Sequence, residues 1–441
     1  MATPKGRTMK KIALLTVVIL IILTSSACSQ HPTFNNTKPS PDYIRDNSAK
    51  TELVIATINN NLNLLGFDSA LQDTVAGFNR HSNDFYVTIR DYSQNGLLDS
   101  TTALKNLNTE IISGKYPDMI CFSSIPVFPY LAKKLLVDLS DCIALDGTVT
   151  TNDIVCANAF LNQDGGLFYL SSDCTFSTLV GKFSEFGDRY GWSVAEYLDI
   201  ESKIDSSVWV IYNISHTSFL NRVAARYSRN AINWTSGSCD FDNPVFIEIL
   251  NASKRIQNKP ETENNLLFGP GGALVAQGKL ITAVASGDYV YNLALCELDA
   301  GEQLSYIGWP TGDGRCGTDL KIGHPVGIVA KGEHIDGCWE FVKYMLMNGD
   351  PQCGLPMYMP RLQERLEDAK TNMDNPVQMT DQQVERFLDL LNHIRNVAIY
   401  DDTVMSIIME ESEDFFAGNK TAEETAKVIQ AKVSLYIAER Q

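Results

Sequence analysis

The chain has 441 residues, 44% of them hydrophobic and 20% charged, with a formal net charge of −17. Such acidity excludes nucleic acid as a partner, because neutralising phosphates takes a basic surface, and it identifies no ligand, since solubility alone accounts for it. About 390 residues of ordinary globular composition follow the first fifty, enough for two domains.

Lys5, Arg7, Lys10 and Lys11 precede an apolar run over 12–23, and small residues then lead into Cys28. This is the pattern of a secretory signal over 1–27. The run is too short for a permanent span, which takes about 20 apolar residues. Ser-Ser-Ala-Cys resembles the bacterial lipobox, although Ser25 stands where that pattern prefers Leu. The resemblance implies an exported protein whose Cys28 carries a diacylglycerol at the outer face of the cell membrane. Two acyl chains, at about 0.8 kcal/mol per buried CH2, make that anchor almost permanent. Residues 28–50 are polar and proline-bearing and read as a flexible tether.

In chain order, ELVIATI (52–58) predicts a buried strand running into Asn59, Asn60 and Asn61. Leu71, Val75 and Phe78 predict a helix, FYVTIRDY (85–92) a strand, and Leu104, Leu107 and Ile111 a second helix. Gly114 and Pro117 then lead into the apolar run 119–122. The order β, α, β, α, β marks an open α/β sheet, in which ligands bind beyond the carboxyl ends of the strands. The loops at 59–61 and 122–124 are therefore the first candidates. The last sixty residues are helical in pattern, with Val384, Leu388, Leu391 and Ile394 on one face and Ala422, Ala426, Ile429 and Val433 on another.

With Cys28 given to lipid, nine of the ten cysteines remain, without a CxxC pair or regular spacing. Cys121 in DMICF and Cys296 in NLALCEL sit in apolar runs, where a free cysteine acts as a small hydrophobe. Buried free thiols are expected. GDGRCG at 312–317 fits GxGxxG but leads into TDLKIG instead of a helix, so the helix end that would hold a pyrophosphate is missing. No GxSxG elbow occurs, and the six histidines form no HxH or HExxH, so no cofactor, metal or catalytic residue is assigned. A glycosidase, with two carboxylates about 5 to 10 Å apart across a cleft, is the one enzymatic arrangement left open.

Several further segments carry a family resemblance. LNTEIISGKYPDMICF reads as helix, Gly, Pro-Asp and strand, and KKLLVDLSDCI follows it. DGGLFYLSSDCTFSTLVGK, the FVKYML helix preceded by Cys338 and Trp339, and FFAGNKTAEETAKVIQAKVSLYI come later. In this order, behind a lipoprotein leader, they resemble the extracellular solute-binding proteins of ABC importers, family 1, which mostly carry sugars and oligosaccharides. The resemblance implies a two-lobed periplasmic-binding-protein-like α/β fold (type II) with a helical C-terminal segment and hinge closure on a small-molecule ligand. Lobe one would comprise 51–163 plus 306–348, and lobe two 164–305 plus 349–441. It further implies ABC permease partners, a monomer and no enzymatic activity. Two alternatives stay open: a cell-surface carbohydrate-active enzyme or adhesin, and a binding protein for a peptide or other small solute.

Sugars present a face of C–H groups and a rim of hydroxyls, so a site needs aromatic platforms and short polar side chains. AVASGDYVYNL (283–293) resembles the family's strand and loop whose aromatic stacks on the ligand, and Tyr289 takes that place. Asp288 would accept hydroxyls or else cap the following helix. Trp309 is a second aromatic candidate, with core packing as its other reading. Asp173 falls in the crossing region as a ligand contact or hinge acceptor, and Asn59, Asn60, Phe122 and Ser123 follow from strand-end position and family together. Trp339, at helical spacing with Val342 and Leu346, reads as core, and Trp234 in NAINWTSGS as a loop residue offering a further platform.

Overall fold

A computed structural model describes residues 50–58, 68–256, 271–349 and 354–440. The leader and tether, with Cys28, and also Asn59, Asn60 and Cys353, lie outside the described residues. β1 (Thr51–Thr57), β2 (Phe85–Asp91) and β3 (Met119–Cys121) are parallel. They alternate with the helices Asp68–His81 and Ser100–Ile112. Leu53, Ile55 and Ala56 of β1 are fully buried, as a continuous apolar run should be when both faces of its sheet are covered. The second helix starts where Asp99 accepts from the Thr102 N–H, satisfying one of its orphan donors.

β4 (Asp173–Lys182) is the strand on which a second sheet is assembled. A short hairpin, β5 (Ile232–Asn233) and β6 (Ser238–Cys239), follows the helix His216–Ala231. β7 (Thr282–Ser286) then pairs with one edge of β4, and β8 (Leu304–Tyr306) and β9 (Asp319–Ile322) with the other. β10 (Val326–Ile328) returns to the first sheet, antiparallel to β3. β11 (Leu355–Pro356) joins β4 beside β7, and β12 (Asn396–Val397) lies outside β9. The boundary expected at 306 thus falls inside the second sheet, because β8 and β9 both pair with β4 before the chain reaches Val326.

Three segments cross between the sheets. Leu170 bridges Val326, the Gly323 N–H donates to Asp173 O at 3.3 Å, and the Met357 N–H donates to Ser172 O at 3.0 Å. Packing on either side is anchored by buried polar groups. Trp339 is 7% exposed, and its indole donates to Asp146 Oδ2 at 2.9 Å, which also meets Lys343 Nζ at 2.6 Å. Burial alone would raise the Asp146 carboxyl, but the hydrogen bonds from Lys343, Thr148 and Trp339 outweigh it and hold Asp146 well below the usual range. In the second sheet Glu297 Oε1 meets Arg386 Nη1 at 2.6 Å with both side chains under 10% exposed. Gln383, the Leu304 N–H and the Tyr306 hydroxyl also donate to Glu297, so its lone pairs are well used. All eight described cysteines are free, six of them buried.

Breaking the Glu297–Arg386 pair from one side leaves an uncompensated buried charge, which typically costs about 3–5 kcal/mol. Arg386→Met should lower the urea midpoint accordingly, and adding Glu297→Leu should restore part of the loss. A single-mutant loss below about 1 kcal/mol, the range of an exposed pair, would show that the pair is not an anchor.

Candidate functional site

The carboxyl end of β3 is fixed against the returning chain by the Phe122 N–H, which donates to Pro325 O at 2.7 Å. The Phe122 ring is buried edge-on to Tyr130 at 5.6 Å, and it packs so near Gly327 that a Cβ there would lie 2.9 Å from it. Ser123, next along, is exposed. Its hydroxyl lies 3.2 Å from His324 Nδ1 and 3.3 Å from Cys121 Sγ. Gly323 separates this group from Asp173 by the least possible bulk, since a Cβ at 323 would overlap the Asp173 carboxylate.

The electrostatics follow from that crowding. Burial raises the Asp173 carboxyl, and the charge of His324 and the donors from Ser172 and Gly323 offset only part of the rise. Burial would also raise the Cys121 thiol, yet the hydrogen bond and charge of His324 prevail and bring it below its ordinary value. An acid biased toward its neutral form, an imidazole and a hydroxyl therefore share one small region where the lobes meet.

The second sheet contributes its own strand ends. The Thr282 N–H donates to Val210 O at 3.0 Å, which sets the segment 209–211 beside the start of β7. Tyr212 is 52% exposed and Tyr289 44% exposed. The Tyr289 ring stacks on Tyr291 with centroids 5.5 Å apart and planes 5° from parallel. Asp288 does not cap the helix Asn292–Ala300, whose N-cap is Tyr291. Its Oδ2 instead accepts from the Ser286 hydroxyl at 2.7 Å, and its backbone oxygen accepts from the Gly354 N–H at 2.8 Å. Residues 355 and 356 pair with Cys174 and Asp173, so Asp288 is tied to the same crossing as Asp173.

The structure accordingly places Phe122, Ser123, Asp173, Asp288 and Tyr289 around the crossing segments. Trp309 does not join them. It is 3% exposed, with the guanidinium groups of Arg222 and Arg226 4.5 and 5.2 Å from its ring, in the packed interior of the second lobe. Sequence reasoning missed Tyr291 and His324. Tyr291 had a readable signal, standing two residues after Tyr289 in AVASGDYVYNL. His324 had none, because it reaches Ser123 only through the pairing of β9 with β4.

No protein-family model matches the sequence. No curated protein matches it either. Solved structures do. A periplasmic oligogalacturonide-binding protein from Yersinia enterocolitica is similar over 88% of this chain and 100% of its own, at 14% identity and a TM-score of 0.55. The sugar-binding protein MalE from Xanthomonas citri is similar over 88% of this chain and 98% of its own, at 14% identity and a TM-score of 0.53. The fold is that of a two-lobed solute-binding protein. Identity at this level speaks to the fold alone.

Asp173 gives this region a pH signature. A carboxyl raised above its unfolded value contributes stability that is full below the unfolded value and lost as pH rises through the folded one. Asp173→Asn should therefore match the wild-type Tm near pH 3.5 and exceed it by a growing margin toward pH 7. A margin independent of pH would contradict the burial argument.

Proposed function

We propose that the chain is the substrate-binding lipoprotein of an ABC importer. It captures a sugar or oligosaccharide between its lobes, about Tyr289, and delivers it to membrane permeases. The observation that carries the reading is the exposed Tyr289, stacked parallel on the half-buried Tyr291 beside Asp288 where the two sheets connect. An aromatic face receives the C–H side of a sugar ring, and neighbouring carboxylates accept hydroxyls with the added strength of charge. Two similar structures being sugar and oligogalacturonide binders supports the same ligand class.

In this reading lobe one is carried by β1, β2, β3 and β10 and lobe two by the sheet on β4, with the return crossing at 323–325. The protein works as a monomer, is exported, and is held at the outer face of the membrane by lipid on Cys28. It performs no chemistry on its ligand, and Ser123 and Asp173 meet the ligand from the first lobe and the crossing, with Asn59, Asn60 and Phe122 as the further candidate contacts of the first lobe.

Incubation with a labelled glycan panel tests the central claim: a binder returns its glycan intact, whereas cleavage would replace this reading with the enzymatic one. Losing a dominant aromatic at a binding site costs about 2–4 kcal/mol, so Tyr289→Ala should weaken glycan binding by about thirty- to a thousand-fold while leaving the ligand-free Tm in place. Trp339→Ala, which removes a buried ring and its bond to Asp146, should lower the ligand-free Tm and spare affinity. Equal behaviour of the two variants would remove the basis for this site. Anchoring has its own test. Cys28→Ser should move the protein out of the membrane fraction, and unchanged fractionation would rule out the lipid.

A further inference from the structure

A cavity of about 720 Å3 lies on the other side of the β4–β9 pair from the strand-end site. Asp288 follows β7, on one edge of β4, whereas the cavity is lined by Asn396 of β12, outside β9, and by Cys316 just before β9. Its walls come from both lobes. Phe128 of the first lobe stacks on Trp234 of the second with centroids 4.8 Å apart, and Arg229 Nη2 donates to Ala159 O at 2.7 Å. Gln163 Nε2 donates across the same boundary to Ile232 O at 3.1 Å.

Two features of the lining bear on a ligand. Asn396 is 4% exposed, and no group in the structure donates to its Oδ1. A buried acceptor without a donor costs about 1–3 kcal/mol, a cost that is relieved when the Asn396 side chain turns its Oδ1 toward a hydroxyl or amine in the cavity it lines. The second feature is charge. Four arginines and two aspartates line the cavity of a chain whose net charge is −17. Arg226 is paired with Asp319, and Arg315 with Asp313. Arg229 and Arg395 donate to backbone carbonyls, and among the described residues neither meets a carboxylate. Each guanidinium carries five N–H donors in a fork that matches a carboxylate.

We propose that this cavity is a second binding site, for a small polyhydroxylated carboxylate of the sugar-acid class. The carboxylate sits between Arg229 and Arg395, and the Asn396 side chain turns so that a ligand hydroxyl donates to its Oδ1. The volume lies within the range of sites that enclose small ligands, and the aromatic wall at Trp234 covers the C–H face. The site is independent of the glycan reading, which rests on Tyr289.

Calorimetric titration of the folded protein with D-galacturonate, D-glucuronate and D-gluconate, with galactose and glucose as uncharged partners, tests the proposal. At least one acid should bind and its uncharged partner should bind at least tenfold more weakly. Arg395→Gln, at an exposed position where folding is not at stake, and Asn396→Leu should each weaken the acid at least tenfold, the scale of one charge-assisted hydrogen bond. Tyr289→Ala should leave acid binding unchanged. No heat with any of the three acids, equal binding of acid and uncharged partner, or loss in Tyr289→Ala with retention in Arg395→Gln would each overturn it. None of those results bears on whether the neutral glycan panel binds, which decides the other reading separately.

Discussion

A buried strand must find hydrogen-bond partners along both of its edges, and in this protein β4 is the strand on which that requirement falls. Its ten residues are half-buried or buried throughout, and no neighbour in sequence satisfies them. Partners come from β7, β8, β9 and β11, which lie over a hundred residues downstream. Once those four segments are pinned, the residues just after them have no freedom of place. His324 follows β9, Asp288 follows β7, and Gly354 precedes β11, so the polar groups around Asp173 are there because β4 is paired.

The same pairing decides which chemistry is affordable where the lobes meet. Gly323 and Gly327 allow backbones to approach so closely that Asp173 and Phe122 lose water on one side. A carboxyl in that setting is biased toward its proton unless a cation or donor answers it, and His324 answers only in part. Hydroxyl groups of an incoming molecule suit such a place, because they donate to a carboxylate without bringing a charge that must be desolvated.

The first sheet was largely legible from residue order. Its strands are continuous apolar runs and its helices repeat Leu71, Val75 and Phe78 or Leu104, Leu107 and Ile111 on one face, signals that local sequence carries by itself. Trp339 could be read as interior for the same reason, from its spacing to Val342 and Leu346, and all three are buried. The second sheet was less legible. Its strands β8, β9, β11 and β12 have two to four residues each, too few for a period, and their register is set by β4 from a distance. That is why the boundary at 306 fell within the sheet, and why Trp309, read equally as platform or core, is enclosed by Arg222 and Arg226. The capping role weighed for Asp288 failed because helix starts are fixed within a residue or two, and Tyr291 holds that position. His324 and the cavity beside Asn396 were invisible because each is assembled from both lobes.

The order in which strands are used has a consequence for biogenesis. The first sheet lacks its edge until β10 ends at Ile328, about three quarters of the way along the chain, and the second lacks β12 until Val397. A polypeptide emerging amino end first therefore holds two incomplete sheets for most of its synthesis, with Phe122 and β4 waiting for partners not yet made. Such a chain does not lock into a rigid body early, and a narrow secretory channel can still pass it as an extended thread. For the export proposed above, the late strands that frustrate local reading of the sequence would keep the chain threadable until it has crossed.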